Sequence, residues 1–153
     1  MSVIEKLKRA AGTYHGSDIN HEGEAYEAVL VVEPVGGGHG VAITFRATDG
    51  GSVVFHEEHA LVGPSMDGGV SYLPISNNIP FVLPHALVRE EGTALVFGAG
   101  DVGSDEAFRE EITVDIDEER IIYRYSWGLP GGDFAERSSV TLTRRHLGGP
   151  PTP

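Results

Sequence analysis

The stretch Ala94–Glu119, "ALVFGAGDVGSDEAFREEITVDIDEE", decides the fold. Gly98, Gly100 and Gly103 spell G-x-G-x-x-G after the apolar run Ala94-Leu95-Val96-Phe97, and acidic Asp115 and Asp117 follow. That is the outline of a dinucleotide-binding fingerprint. Such a unit needs a strand, a turn, a helix and a parallel strand, about 30 residues or more. Only eight residues separate Gly103 from Ile112, which as helix would span about 12 Å. A parallel crossover takes about a dozen residues or more. The segment therefore reads as a loop between two antiparallel strands, with its glycines serving turn geometry.

The chain on either side agrees. After Gly12 the apolar pattern has the period of a strand, with turn signals at "HEGE", "GGG", "TDGG", "MDGG", "EEG", "DEE" and "PGGD". Ten strands are predicted, at about 12–18, 25–34, 39–48, 52–62, 69–75, 80–90, 93–98, 107–116, 120–127 and 133–145. Ile112, Val114 and Ile116 alternate with Glu111, Thr113 and Asp115, the mark of a sheet with one buried and one wet face. One helix is predicted, over residues 3–11, with Val3, Ile4, Leu7, Ala10 and Ala11 at helical spacing. It is too short to be stable alone and needs a surface to dock on. Ten antiparallel strands leave unpaired edges that closure into a barrel removes; a two-sheet sandwich is the competing solution, and the short helix, placed to plug a barrel mouth, favours the barrel. The expected fold is an all-β, ten-stranded antiparallel up-and-down barrel with the short N-terminal helix closing one end. Residues 1–147 form one domain, and "GGPPTP", residues 148–153, is a disordered tail.

Composition narrows the function. The 153 residues carry 23 Asp and Glu against 11 Lys and Arg, a formal charge of −12. That surface repels phosphate, which argues against nucleic acid and anionic membranes as partners. Solubility is the plainer reading of the charge. Cysteine is absent, which removes disulfides, thiolate metal sites and thiol nucleophiles and fits a cytoplasmic protein. "MSVIEKLKRAAG" lacks the apolar centre of a signal peptide, and no run is long enough to span a bilayer.

The order of a short helix, then Gly12-Thr13-Tyr14, then ten strands ending at Arg144 resembles the calycin superfamily. That superfamily contains the lipocalins, the fatty-acid-binding proteins and bacterial families with similar barrels. The resemblance implies a G-x-aromatic on the first strand with a last-strand cation over the ring. Tyr14 stands where Trp is usual, and Arg144 shares a strand face with Val140 and Leu142. A cation over an aromatic face contributes about 0.5–2 kcal/mol. Nearest in length are bacterial fatty-acid-binding-like domains of unknown function and the haem-binding nitrobindins. The nitrobindin hallmark G-x-W-x-G-x-G is broken, since "GTYHGSD" keeps Gly12 and Gly16 only. No cofactor is expected on that ground.

Three stretches carry candidate chemistry. In "FHEEHALV", His56 and Glu58 share one strand face, and Glu57 and His59 the other. Either pair supplies two metal ligands, but a strand with one solvated face explains the pattern as well, and no metal is expected. "SYLPISNNIPFVLPHALV" carries Pro74, Pro80 and Pro84, so an edge, a bulge or a loop over the barrel is expected there. "RIIYRYSWG" alternates Ile121, Tyr123, Tyr125 and Trp127 with Ile122, Arg124 and Ser126. The aromatic stripe is equally a cavity lining or plain core, while Arg124 reads as solvated. Glu110-Glu111 and Glu118-Glu119 read as solvated acidic faces.

The leading expectation is a barrel that binds a small lipophilic or amphipathic molecule. Its expected lining is Phe45, His59, Tyr72, Phe81, His85, Tyr123, Tyr125 and Trp127. One alternative is a barrel isomerase, hydrolase or lyase using interior His and Glu as acid and base. Another is haem binding through His59, His85 or His146. A further alternative is a filled barrel acting through its surface, for instance as a homodimer.

Overall fold

The computed structural model describes residues 1–146, and the expected tail, 148–153, lies outside them. Helix α1 (Val3–Arg9) is followed by β1 (Gly12–Ile19), β2 (Ala25–Val35), β3 (Gly40–Thr48), β4 (Val54–Pro64) and β5 (Val70–Ser76). Next come β6 (His85–Glu91), β7 (Ala94–Ala99), β8 (Arg109–Asp117), β9 (Arg120–Gly128) and β10 (Ala135–Arg145). Each strand pairs antiparallel with its sequence neighbours, and β1 pairs with β10 to close the barrel. Closure leaves no long free edge, as the alternating pattern of ten strands requires. No helix is long and apolar enough to cross a membrane among the described residues.

The glycines of the fingerprint fall in the β7–β8 connection. Gly100 has φ +80°, and a Cβ there would lie 2.7 Å from the Phe108 carbonyl oxygen. The Gly103 N–H donates to Asp101 Oδ1 at 2.8 Å. Both serve a tight return between antiparallel strands. Gly16 has a different reason. A Cβ there would lie 2.2 Å from the Thr141 carbonyl oxygen, so β1 and β10 approach closely only because that side chain is absent.

α1 is shorter than expected, ending at Arg9 with Ala10 as its C-cap. Ser2 caps its first turn, accepting the Glu5 N–H at 3.1 Å. Leu7 and Ala10 are buried against the barrel. The helix end of the barrel is a filled core, with Leu30, Val32, Val41, Ile43, Val62, Leu95, Val114, Ile121 and Leu142 all buried. Tyr14 lies under it and donates its hydroxyl to the Ala10 carbonyl at 2.7 Å. The Arg144 guanidinium carbon sits 5.0 Å from the centre of the Tyr14 ring. Arg144 Nη1 also donates to the Ala11 carbonyl at 2.6 Å. The expected aromatic–cation pair is therefore in place, and it ties helix, first strand and last strand together.

The prolines move one boundary. The sixth strand was expected from residue 80 but begins at His85. Pro80 and Pro84 have no N–H to offer a ladder. β5 and β6 share only the pairs Ser71↔Ala86 and Tyr72↔His85, and Pro74 lies past the last of them. The acidic pair Glu110-Glu111 corrects the reading of a solvated face. Glu110 and Glu111 are both buried. Glu111, on the outer face, is gripped by Arg89 through two bonds of 2.7 Å. Glu118 and Glu119 form the exposed β8–β9 turn, as expected.

Candidate functional site

The end of the barrel opposite α1 is open. A cavity of about 490 Å³ enters there, lined by residues from the β1–β2 turn and from β4, β5, β8, β9 and β10. Its walls are Phe55, Phe108, Tyr125, Trp127, Leu129 and Ile79, and its polar groups include His56, Glu58 and Glu110. A side pocket of about 140 Å³ adjoins it, reaching Tyr26, Phe45, Tyr123 and Val140. Both share Asn20, His21, Phe55, His56, Arg137 and Ser138.

Two bulges shape the mouth. Ala47 pairs with His56 but Thr48 pairs with Val54, so Phe55 is an extra residue in β4. Glu136 pairs with Ser126 but Ser138 with Tyr125, so Arg137 is extra in β10. A bulge interrupts the strict alternation of faces and re-aims a side chain. Neighbouring residues, Phe55 with His56 and Arg137 with Ser138, therefore both line the cavity. Arg137 lies over the Trp127 ring at 4.6 Å and donates to the Trp127 and Asp133 carbonyls at 3.1 and 2.7 Å.

The cavity floor is a hydrogen-bonded chain. Tyr72 and Tyr123 each donate to Glu58 Oε2 at 2.6 Å. Each hydroxyl has one proton, so at the 2.8 Å Tyr123–Tyr125 contact the donor is Tyr125. The Tyr125 oxygen then accepts from His56 Nε2 at 3.2 Å. The order is His56, Tyr125, Tyr123, Glu58, each donating to the next. Burial would raise the Glu58 carboxyl, but His56, Tyr123, Tyr72 and Tyr125 around it together hold it below the usual range. Burial, with the Glu58 charge beside them, pushes the hydroxyls of Tyr72, Tyr123 and Tyr125 well above the ordinary tyrosine value. Glu58 is thus a buried carboxylate held by neutral phenols.

Beside it lies a second pair. His85 Nδ1 faces the Leu83 carbonyl at 2.7 Å, and Nε2 faces Glu110 Oε1 at 2.8 Å. A carbonyl only accepts, so Nδ1 donates, and the contact to Glu110 needs a proton of its own. The His85 ring also meets the Tyr72 ring edge-on, with centroids 5.9 Å apart.

The expected lining divides. Tyr125 and Trp127 line the main cavity, Phe45 and Tyr123 line the side pocket, and Tyr72 and His85 lie directly behind the floor. His59 and Phe81 do not line it. His59 is on the outer face of β4, 3.3 Å from Glu57. Phe81 is 62% exposed in the β5–β6 loop, because the prolines end the extended pairing that would have turned it inward. Of the haem donors considered, His146 pairs with Glu119 near the helix end, and both ring nitrogens of His85 are engaged. Sequence reasoning missed Phe55, Phe108, Glu110, Arg137 and Ser138 in the lining. It noted that His56 and Glu58 share a face, and that face is the inner one. Among the described residues no three His, Asp or Glu side chains group closely enough to hold a metal.

No family model matches the chain, and no curated protein matches it. A solved structure does: the crystal structure of Rv2717c from M. tuberculosis superposes with a TM-score of 0.69. It is 12% identical, and the match covers 95% of this chain and 99% of that one. At that identity the likeness shows a shared barrel fold.

Proposed function

We propose that this barrel binds one small amphipathic molecule in the cavity at its open end. The observation that carries the reading is the division of the interior. One half is packed core and the other is a cavity of about 490 Å³ with aromatic walls and a hydrogen-bonding floor. That volume falls in the range of about 300–1,000 Å³ common to small-molecule sites, which pair apolar walls with a few fixed polar groups. Binding is supported over acid–base catalysis because Glu58 Oε2 is held by two phenols and both ring nitrogens of His85 are engaged by Leu83 and Glu110. The lack of cysteine fits a cytoplasmic setting. Self-association has a surface to use, since Leu61, Leu73 and Ile75 are exposed on the neighbouring strands β4 and β5.

The test uses an uncharged environment-sensitive dye, N-phenyl-1-naphthylamine. The reading expects a fluorescence rise that saturates at one dye per chain. Ser138→Trp fills the mouth and is expected to abolish it without lowering the melting temperature. No rise with the wild-type chain, or a rise unchanged in that variant, overturns the reading.

A further inference from the structure

We propose that the ligand of this cavity is an organic ammonium: an amine head on an aromatic or short aliphatic body. The proposal rests on the cavity being a binding site. Its starting point is the direction of the floor's hydrogen bonds. Both phenols that reach Glu58 donate to Oε2. Oε1 accepts no hydrogen bond among the described residues; His56 Nε2 stands 3.9 Å from it and 3.2 Å from the Tyr125 oxygen. The residue is only 3% exposed and lines the cavity. Arg109 Nε and Arg144 Nε are the buried side-chain atoms without a partner among the described residues, so Oε1 is open to the cavity and can accept a donor from a molecule bound there.

No Lys or Arg among the described residues of the cavity bonds that oxygen. Glu110 is engaged by His85. Among the described residues Arg137 is the one Lys or Arg in the lining, and it is held at the rim by the Trp127 and Asp133 carbonyls. Glu22 and Glu24 also stand in the lining, on the β1–β2 turn. The path from solvent to Glu58 therefore carries more carboxylates than fixed cations, within a chain of formal charge −12. Such a field draws cations in and repels anions. The walls agree, because Phe55, Tyr125, Trp127 and Phe108 present aromatic surface to a cation on its way to Glu58. A carboxylate ligand would instead set a second negative charge beside Glu58.

Three probes with one body and different heads separate the possibilities: 3-phenylpropylamine, 3-phenylpropan-1-ol and 3-phenylpropanoate. Each is titrated into the full chain while the emission of Trp127, the only tryptophan, is followed. The amine is expected to bind about tenfold or more tighter than the alcohol, the worth of one charge-assisted hydrogen bond, and the propanoate weakest. Glu58→Gln is expected to erase the preference for amine over alcohol while alcohol binding persists. Should that variant not fold, the wild-type ranking decides alone. Alcohol or propanoate binding as tightly as the amine overturns the ammonium assignment and leaves the cavity as a binding site. A preference unchanged in Glu58→Gln overturns the role of Glu58. Failure of all three probes to bind overturns the binding reading itself.

Discussion

Glu58 and Arg144 are charged side chains at opposite ends of one interior, and they act differently. Arg144 joins Tyr14 and the Ala11 carbonyl across the closed end. Arg144→Met removes the cation and one donor, and is expected to lower stability by about 2 kcal/mol, read from the urea midpoint. Glu58 couples stability to pH. Its carboxyl is held below the usual range in the folded chain. Its contribution is therefore complete above the ordinary carboxyl value and is lost as pH falls through the depressed folded one. From about pH 5 to about pH 3, the wild type is expected to lose more stability than Glu58→Gln. At neutral pH the variant is expected to be less stable by about 1–3 kcal/mol, because charge-assisted bonds from two phenols become ordinary ones. Parallel thermal melts across that range check both statements. Tyr14 and Arg144 were expected as a pair because the calycin resemblance implies an aromatic on the first strand beneath a last-strand cation. The partner of Glu110 was not, because His85 lies 25 residues away and meets it only across the closed sheet.

Strands announce themselves by alternation, and where alternation held the faces were readable. Tyr123, Tyr125 and Trp127 turn inward, and Arg124 lies on the outer face of β9 within reach of Asp115 and Glu136, at 3.6 and 4.0 Å. Bulges defeat that reading. An extra residue at Phe55 or Arg137 leaves no composition signal, yet it brings two consecutive side chains to the mouth. Prolines were legible as an interruption, but not its length, so Phe81 was expected inside and lies outside. The β8–β9 turn holds a local cost. Glu118 has φ +52°, in the left-handed region that a side chain resists. Glu118→Gly is expected to raise stability by about 0.5–1 kcal/mol with an unchanged urea m value.

For the whole molecule, the edges of ten strands asked for a barrel or a sandwich, and the short helix placed to plug a mouth favoured the barrel. Whether the barrel is full or hollow did not follow. That depends on which side chains from ten strands meet at one height. At the helix end branched aliphatics interdigitate with Leu7 and Tyr14. At the other end Ser76 and Ser138 stand at inner positions, and no helix enters. The result is a barrel closed at one end and hollow at the other, with the polar chain from His56 to Glu58 at the boundary. The likeness to Rv2717c is one of barrel fold.

The most direct test is an amide chemical-shift map of the folded chain titrated with 3-phenylpropylamine. Saturable shifts are expected to gather at 20–24, 55–58, 76–79, 108–110, 125–129 and 137–138, with α1 and the residues around Tyr14 unmoved. Shifts centred on the helix end or on the outer faces of β4 and β5 would contradict binding in the cavity, as would a spectrum that does not move.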